Sequence, residues 1–238
     1  DYLPQDLKCN FISLDIFFIC LPIEIIENFK KLFYKFDILV NQITCSSYAK
    51  TLNYKNNFSS YKDISFIDIG FSKTSITTYI NNKIIYSNVL PIGGNHITKD
   101  ISKVLKIDLE QAENLKINFG KNEDLLINKD FSLELLQKII FARTEEILEI
   151  CVESIKLNSI ITGQFKMIIM GDGSKILNNQ YMNEISFLND IDLLEETSED
   201  ICQSGFKLVT GSNKQEVVIV PKKHTKQGFF EKLFLFFK

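Results

Sequence analysis

Phe66-Ile67-Asp68-Ile69-Gly70-Phe71-Ser72-Lys73-Thr74-Ser75-Ile76 is followed, about twenty residues on, by Val89-Leu90-Pro91-Ile92-Gly93-Gly94-Asn95. An apolar strand enters a tight Asp-x-Gly turn, and a hydroxyl-rich strand leaves it. Such a turn can bring backbone N–H groups and Ser/Thr hydroxyls to a phosphate while the Asp faces a hydrated Mg²⁺. Taken alone, the same pattern is equally an ordinary β-hairpin. What surrounds it favours the nucleotide.

Downstream, Asn81-Asn82 reads as the turn between strands around Thr77–Tyr79 and Ile84–Tyr86. From Asn95 to Ile160 the spacing turns helical: Thr98–Leu105, then Asp108–Ile117 capped by Asp108 and stopped by Gly120, then a long helix over Ser132–Leu157. Lys166–Met170 is a short buried strand running into Gly171-Asp172-Gly173-Ser174, which opens another helix. Upstream, Ile12–Cys20 and Asp37–Thr44 read as strands. Pro22 starts a helix with Ile23, Ile26, Phe29, Phe33 and Phe36 at helical spacing, and Ser46-Ser47-Tyr48-Ala49-Lys50 starts another.

At 238 residues and 45% apolar content the chain can bury a real core. A net charge of −3 gives no global pull toward nucleic acid. Five widely spaced cysteines with no C-x-x-C pair read as buried free thiols in a reducing compartment, not a zinc site. No apolar run is long enough to span a bilayer, and no N-terminal signal segment is visible. The chain opens on Asp1 inside patterned sequence, so we expect the C-terminal part of a longer protein.

Three further features carry chemistry. Gly171 and Gly173 permit close backbone approach, and the helix start beyond them favours an anion; a glycine turn used for geometry alone reads the same way. Glu113 and Lys116 share a helix face and are either a solvated pair or a pair that bonds ribose hydroxyls. At the tail, Phe229, Leu233, Phe236 and Phe237 form one helical stripe flanked by Phe230 and Phe234. These eleven residues, 228–238, are too few to cross a membrane but enough to lie in its interface; the other reading is a helix docked on the protein's own core. Lys222, Lys223, Lys226, Lys232 and Lys238 would each add about 1 kcal/mol near anionic lipid. His96 and His224 stand isolated and read as incidental.

Together these pieces resemble the actin/Hsp70-like ATPases, and within them the FtsA family of bacterial cell-division proteins. The specific matches are Pro91-Ile92-Gly93-Gly94 with Ile97-Thr98-Lys99-Asp100-Ile101, and Ala112-Glu113-Asn114-Leu115-Lys116 before Gly120. Arg143-Thr144-Glu145-Glu146-Ile147 and Gly171-Asp172-Gly173 continue the pattern. The resemblance implies an α/β, actin-like (ribonuclease H-like) fold, represented mainly by the second domain with a helical 2B insert and a C-terminal amphipathic helix. Residues 1–60 would end domain 1 (the tail of 1C and the last part of 1A). Residues 61–94 and 162–211 would form subdomain 2A, 95–161 subdomain 2B, 212–227 a linker and 228–238 a membrane-targeting helix.

The resemblance also implies ATP with Mg²⁺. Asp68 would face the metal, and Gly70, Ser72, Lys73 and Thr74 the phosphates. Glu113 and Lys116 would meet the ribose, and Gly171, Asp172, Gly173 and Ser174 the adenosine. Hydrolysis would be weak or absent, since no residue offers itself as a general base. The chain departs from the family in Phe71 and Ser72, where glycines that reach φ > 0 are usual, and in Asp172. Arg143, the chain's one arginine, is either a solvated charge or, as in the family, part of the surface receiving the C-terminal peptide of the tubulin-like protein FtsZ. The implied role is a peripheral membrane adaptor that anchors FtsZ filaments to the cytoplasmic face of the bacterial inner membrane at the division site, assembling with copies of itself into an actin-like filament. A pilus-assembly scaffold resembling PilM, or an ATPase of the Hsp70 or sugar-kinase type, is the alternative on the same fold.

Overall fold

The first strand of the Asp-x-Gly pattern is apolar on both faces, and that places it in the middle of a sheet. In the computed structural model, which describes residues 17–119, 132–158, 165–177 and 190–210, β1 (Ile64–Ile69) lies between β2 (Thr74–Ile80) and β4 (Lys166–Met170). It pairs antiparallel with β2 and parallel with β4. β3 (Lys83–Leu90) forms one edge and the short β5 (Ile191–Leu193) the other, in the order β3-β2-β1-β4-β5. The edge position of β3 shows in its strict alternation of exposed and half-buried residues. Asn81 and Asn82 both take positive φ, 50° and 64°, the two-residue turn that matches strand twist.

Strand parity sorts the core into two layers. Ile67 and Ile69 of β1, with Met167 and Ile169 of β4, pack on one side against α3 (Gly94–Leu105), α4 (Leu109–Phe119) and α5 (Leu133–Asn158). Ile64, Phe66, Ile168 and Met170 face the other side, where Tyr54 of α2 (Ser46–Lys55) covers them. The last helix among the described residues, α6 (Ser198–Thr210), packs on α2, with Asn53 Nδ2 donating to Ser204 Oγ at 3.0 Å. Asp68 keeps the parity of Ile64 and Phe66, so its carboxylate belongs to the α2 side of the sheet.

Several local expectations hold: Asp108 Oδ1 accepts the Gln111 N–H at 2.7 Å and caps α4. Others do not. Of the expected strand Ile12–Cys20, residues 12–16 lie outside the described residues; the described part, Phe17–Cys20, and Asp37–Thr44 are not strands, and neither joins the five-stranded sheet. α1 (Ile23–Tyr34) does follow Pro22, yet buries none of its residues among the described chain. Gly171 leads into a single 3₁₀ turn, Asp172–Ile176. Of the described cysteines only Cys151 is buried, its thiol pushed up to about 12 by desolvation, while Cys20 and Cys202 are exposed. Gly120 and the tail residues Phe229, Phe230, Leu233, Phe234, Phe236 and Phe237 lie outside the described residues.

Candidate functional site

Parallel pairing of β1 with β4 sets their carboxyl ends side by side, the usual location of a ligand in an α/β sheet. Gly70 follows β1 and Gly171 follows β4. α3 begins against both. The Gly94 and Asn95 N–H groups donate to the carbonyls of Gly70 and Phe71 at 2.9 and 2.7 Å, and the Gly93 N–H to His96 Nδ1 at 3.1 Å. His96, which the sequence left incidental, therefore caps this helix. The first N–H groups of α3 are spent on joining the loops, not held open for an anion.

The packing of these loops is close enough to demand glycine. A methyl group on Gly93 would lie 2.6 Å from the Gly70 carbonyl oxygen. On Gly173 it would lie 2.8 Å from the Ile69 carbonyl oxygen, and on Gly171 2.4 Å from Asp68 Oδ1. Gly171 also has φ +93°, which side chains rarely adopt. Phe71 and Ser72, by contrast, are absent from the positive-φ residues, so this form of the turn requires no glycine at either.

Lys116 joins the same centre from α4. Its ammonium, 6% exposed as a residue, donates to Gly94 O at 3.1 Å, Thr98 Oγ1 at 2.9 Å and Glu113 Oε2 at 2.8 Å. Those three acceptors use all three of its hydrogens. Glu113 Oε2 also accepts from Thr98, while Oε1 takes none of the described bonds. Burial raises the Glu113 carboxyl, but the hydrogen bonds from Lys116 and Thr98 outweigh it and hold the group below its ordinary value. Lys116 is thus a strut between α3 and α4, and Glu113 is the member of the pair with an oxygen to spare.

The structure thus brings Asp68, Gly70, Glu113, Lys116, Gly171 and Gly173 together at one strand end. Thr74 is corrected: it is fully buried and its hydroxyl donates to the Ile92 carbonyl at 2.7 Å, away from the turn. Ser174 Oγ is likewise committed, to the Gly171 carbonyl at 2.7 Å. Ser72 and Lys73 stay exposed at the rim, and so does Asp172, which pairs with Lys175 at 2.6 Å. Arg143 stands apart on α5, in a shallow groove of about 370 Å³ between α3 and α5, held by Asp100 and by Glu146 at 2.6 Å.

Sequence reasoning missed two residues here. Lys50 Nζ of α2 lies 2.8 Å from Asp68 Oδ2 and 3.0 Å from Glu196 Oε2. A signal did exist for Lys50: it falls on the buried stripe Ser47, Lys50, Thr51, Tyr54, where a charge needs a partner. Nothing local marked Glu196.

These residues fit an adenine nucleotide better than a metal ion. Ser72 and Lys73 suit phosphate, and the spare Glu113 oxygen suits a ribose hydroxyl. Mg²⁺ between Asp68 Oδ2 and Glu196 Oε2 does not fit, because the Lys50 ammonium already bonds both oxygens.

The sequence model described as "Cell division protein FtsA" matches residues 65–175, the segment that carries Asp68, Gly70, Glu113, Lys116, Gly171 and Gly173. The chain is FtsA-like. Cell division protein FtsA of Streptococcus pneumoniae serotype 2 (strain D39 / NCTC 7466) is 31% identical over 142 residues, covering 54% of this chain and 31% of that protein. The FtsA of Buchnera aphidicola subsp. Acyrthosiphon pisum is 27% identical over 243 residues, covering 87% of this chain and 57% of that one. The FtsA-like chain therefore spans less than two thirds of either relative. Among solved structures, a PilM-PilN type IV pilus biogenesis complex aligns with TM-score 0.52 at 16% identity, covering 71% of this chain and 50% of that one. MreB5 of Spiroplasma citri bound to ADP aligns with TM-score 0.51 at 18% identity, covering 78% and 67%. At such identities the likeness shows the fold, and the fold of the FtsA-like chain is that of the actin-like ATPases.

Proposed function

We propose that this chain belongs to a peripheral membrane adaptor of bacterial cell division, one that binds ATP at the joined ends of β1 and β4. It would hold FtsZ filaments at the cytoplasmic face of the inner membrane and assemble with its own copies as actin does. The observation that carries this reading is the meeting of Gly70, Gly94, Lys116 and Gly171 at one strand end within the FtsA-matched segment. Nucleotide serves as an assembly switch more than as fuel, since among the described residues no side chain at the site is placed as a general base. Arg143, in its groove between α3 and α5, is the residue we assign to the FtsZ C-terminal peptide. The tail phenylalanines and Leu233 would enter the lipid interface.

Co-sedimentation of the full chain with anionic liposomes and FtsZ filaments tests the adaptor role. We expect FtsZ to pellet with the vesicles, and removal of Gly228–Lys238 to release both proteins. Vesicle binding that survives this deletion refutes the tail assignment. FtsZ that stays in solution while the chain pellets refutes the adaptor role.

A further inference from the structure

Asp68, Glu196 and Lys50 form a buried cluster at the edge of the candidate site. The Lys50 and Glu196 side chains are 5% and 4% exposed, and that of Asp68 is 14% exposed. Three elements build it: parity turns Asp68 toward α2, the buried stripe of α2 aims Lys50 at it, and the segment before α6 supplies Glu196. Two carboxylates converging on one point beside a phosphate site are what Mg²⁺ ordinarily uses, together with phosphate oxygens. Here the position between the two oxygens is filled by nitrogen, at distances of 2.8 and 3.0 Å that mark charge-assisted hydrogen bonds.

We propose that Lys50 is a resident ammonium standing where a divalent cation would bind, so that this site takes its nucleotide without a metal on Asp68. The inference rests on the nucleotide reading above. Two carboxylates against one ammonium leave a formal surplus of one negative charge, and the buried Glu196 also faces the buried Tyr54 hydroxyl, whose proton it helps to hold in place. Removing the ammonium exposes that surplus and converts the pair of carboxylates into a cation site. A lysine that merely braces α2 against the sheet has no such consequence.

The test uses the full chain and its Lys50→Met variant, with Mn²⁺ alone as the metal probe, followed by electron paramagnetic resonance. We expect Lys50→Met to bind Mn²⁺ at least about tenfold more tightly than the unaltered chain, and adding Asp68→Asn to remove the gain. Thermal unfolding covers the case of a poorly folded variant: millimolar Mg²⁺ should raise the melting temperature of Lys50→Met and leave that of the unaltered chain in place. No gain in Mn²⁺ binding and no melting shift overturn the proposal. A fluorescent ATP analogue, titrated with Mg²⁺ and again with EDTA, separates the two readings. Equal binding to the unaltered chain in both conditions supports the proposal. Binding weakened about tenfold or more by EDTA overturns it while the nucleotide site stands. An analogue that binds in neither condition overturns the nucleotide reading and with it the ligand half of this proposal, and the Mn²⁺ result still decides what Lys50 does.

Discussion

Gly171→Ala tests whether the ends of β1 and β4 are joined as described. Alanine at φ +93° and ψ 164° enters a region that is essentially reserved for glycine and costs about 1–3 kcal/mol. Its methyl group would also sit 2.4 Å from Asp68 Oδ1 and 2.6 Å from the Ile69 carbonyl oxygen. The carboxylate could turn, but the carbonyl is backbone in a central strand, so the loop must move, at a cost of about 1–3 kcal/mol more. The sum, about 2–6 kcal/mol, is a large share of the roughly 5–15 kcal/mol that holds a domain folded. It should lower the melting temperature by roughly 4–24 °C at this chain length. Gly205→Ala supplies the opposite sign: nothing lies within 4 Å of the added methyl in the middle of α6, so helix propensity alone should stabilise by about 0.5–1 kcal/mol. Urea unfolding followed by circular dichroism reads both variants. Gly171→Ala unfolding at or above the midpoint of the unaltered chain would refute the joined-loop geometry.

Two further variants probe the helices around the site. Lys116→Met strips three acceptors of their donor and should cost about 2–3 kcal/mol in urea unfolding, below the loss from a fully buried pair because the Glu113 side chain is 31% exposed. The same variant should flatten the acid limb of stability. The Glu113 carboxyl lies below its ordinary 4.5 in the folded chain, so the unfolded chain takes up the proton first. Its contribution is then complete above about pH 4.5 and lost as pH falls through the lower folded value; urea midpoints across that window in both proteins check it. At the α3–α5 groove, Asp100→Asn releases Arg143 from a partly exposed ion pair worth about 0.5–1 kcal/mol, which should tighten FtsZ C-terminal peptide binding about two- to fivefold by fluorescence anisotropy. Arg143→Glu should weaken the same binding, and unchanged affinity in both variants removes Arg143 from the interface.

Much of the fold was legible because it is written in short-range periodicity. The Asn81-Asn82 turn marked the start of β3, glycines marked the ends of β1 and β4, and the Asp108 cap marked the start of α4. These signals span a few residues and need no knowledge of what packs where. The errors at Phe17–Cys20 and Asp37–Thr44 have the same origin: an apolar run says that a segment can form a strand, whereas membership of a sheet depends on which strand the packing brings alongside it.

By itself the sequence determined the strand–turn–strand, the helical stretch that follows it, the positions of the loop glycines and the FtsA-like pattern they form. Only the tertiary structure decided how the polar side chains are spent. Thr74 turned inward to Ile92, Lys116 gave all three hydrogens to the protein, and Lys50 found Glu196 at a separation of 146 residues. The physical reason is that a buried charge must be paired, and its partner is whichever opposite group the packing of helix on sheet brings within about 3 Å, however distant along the chain.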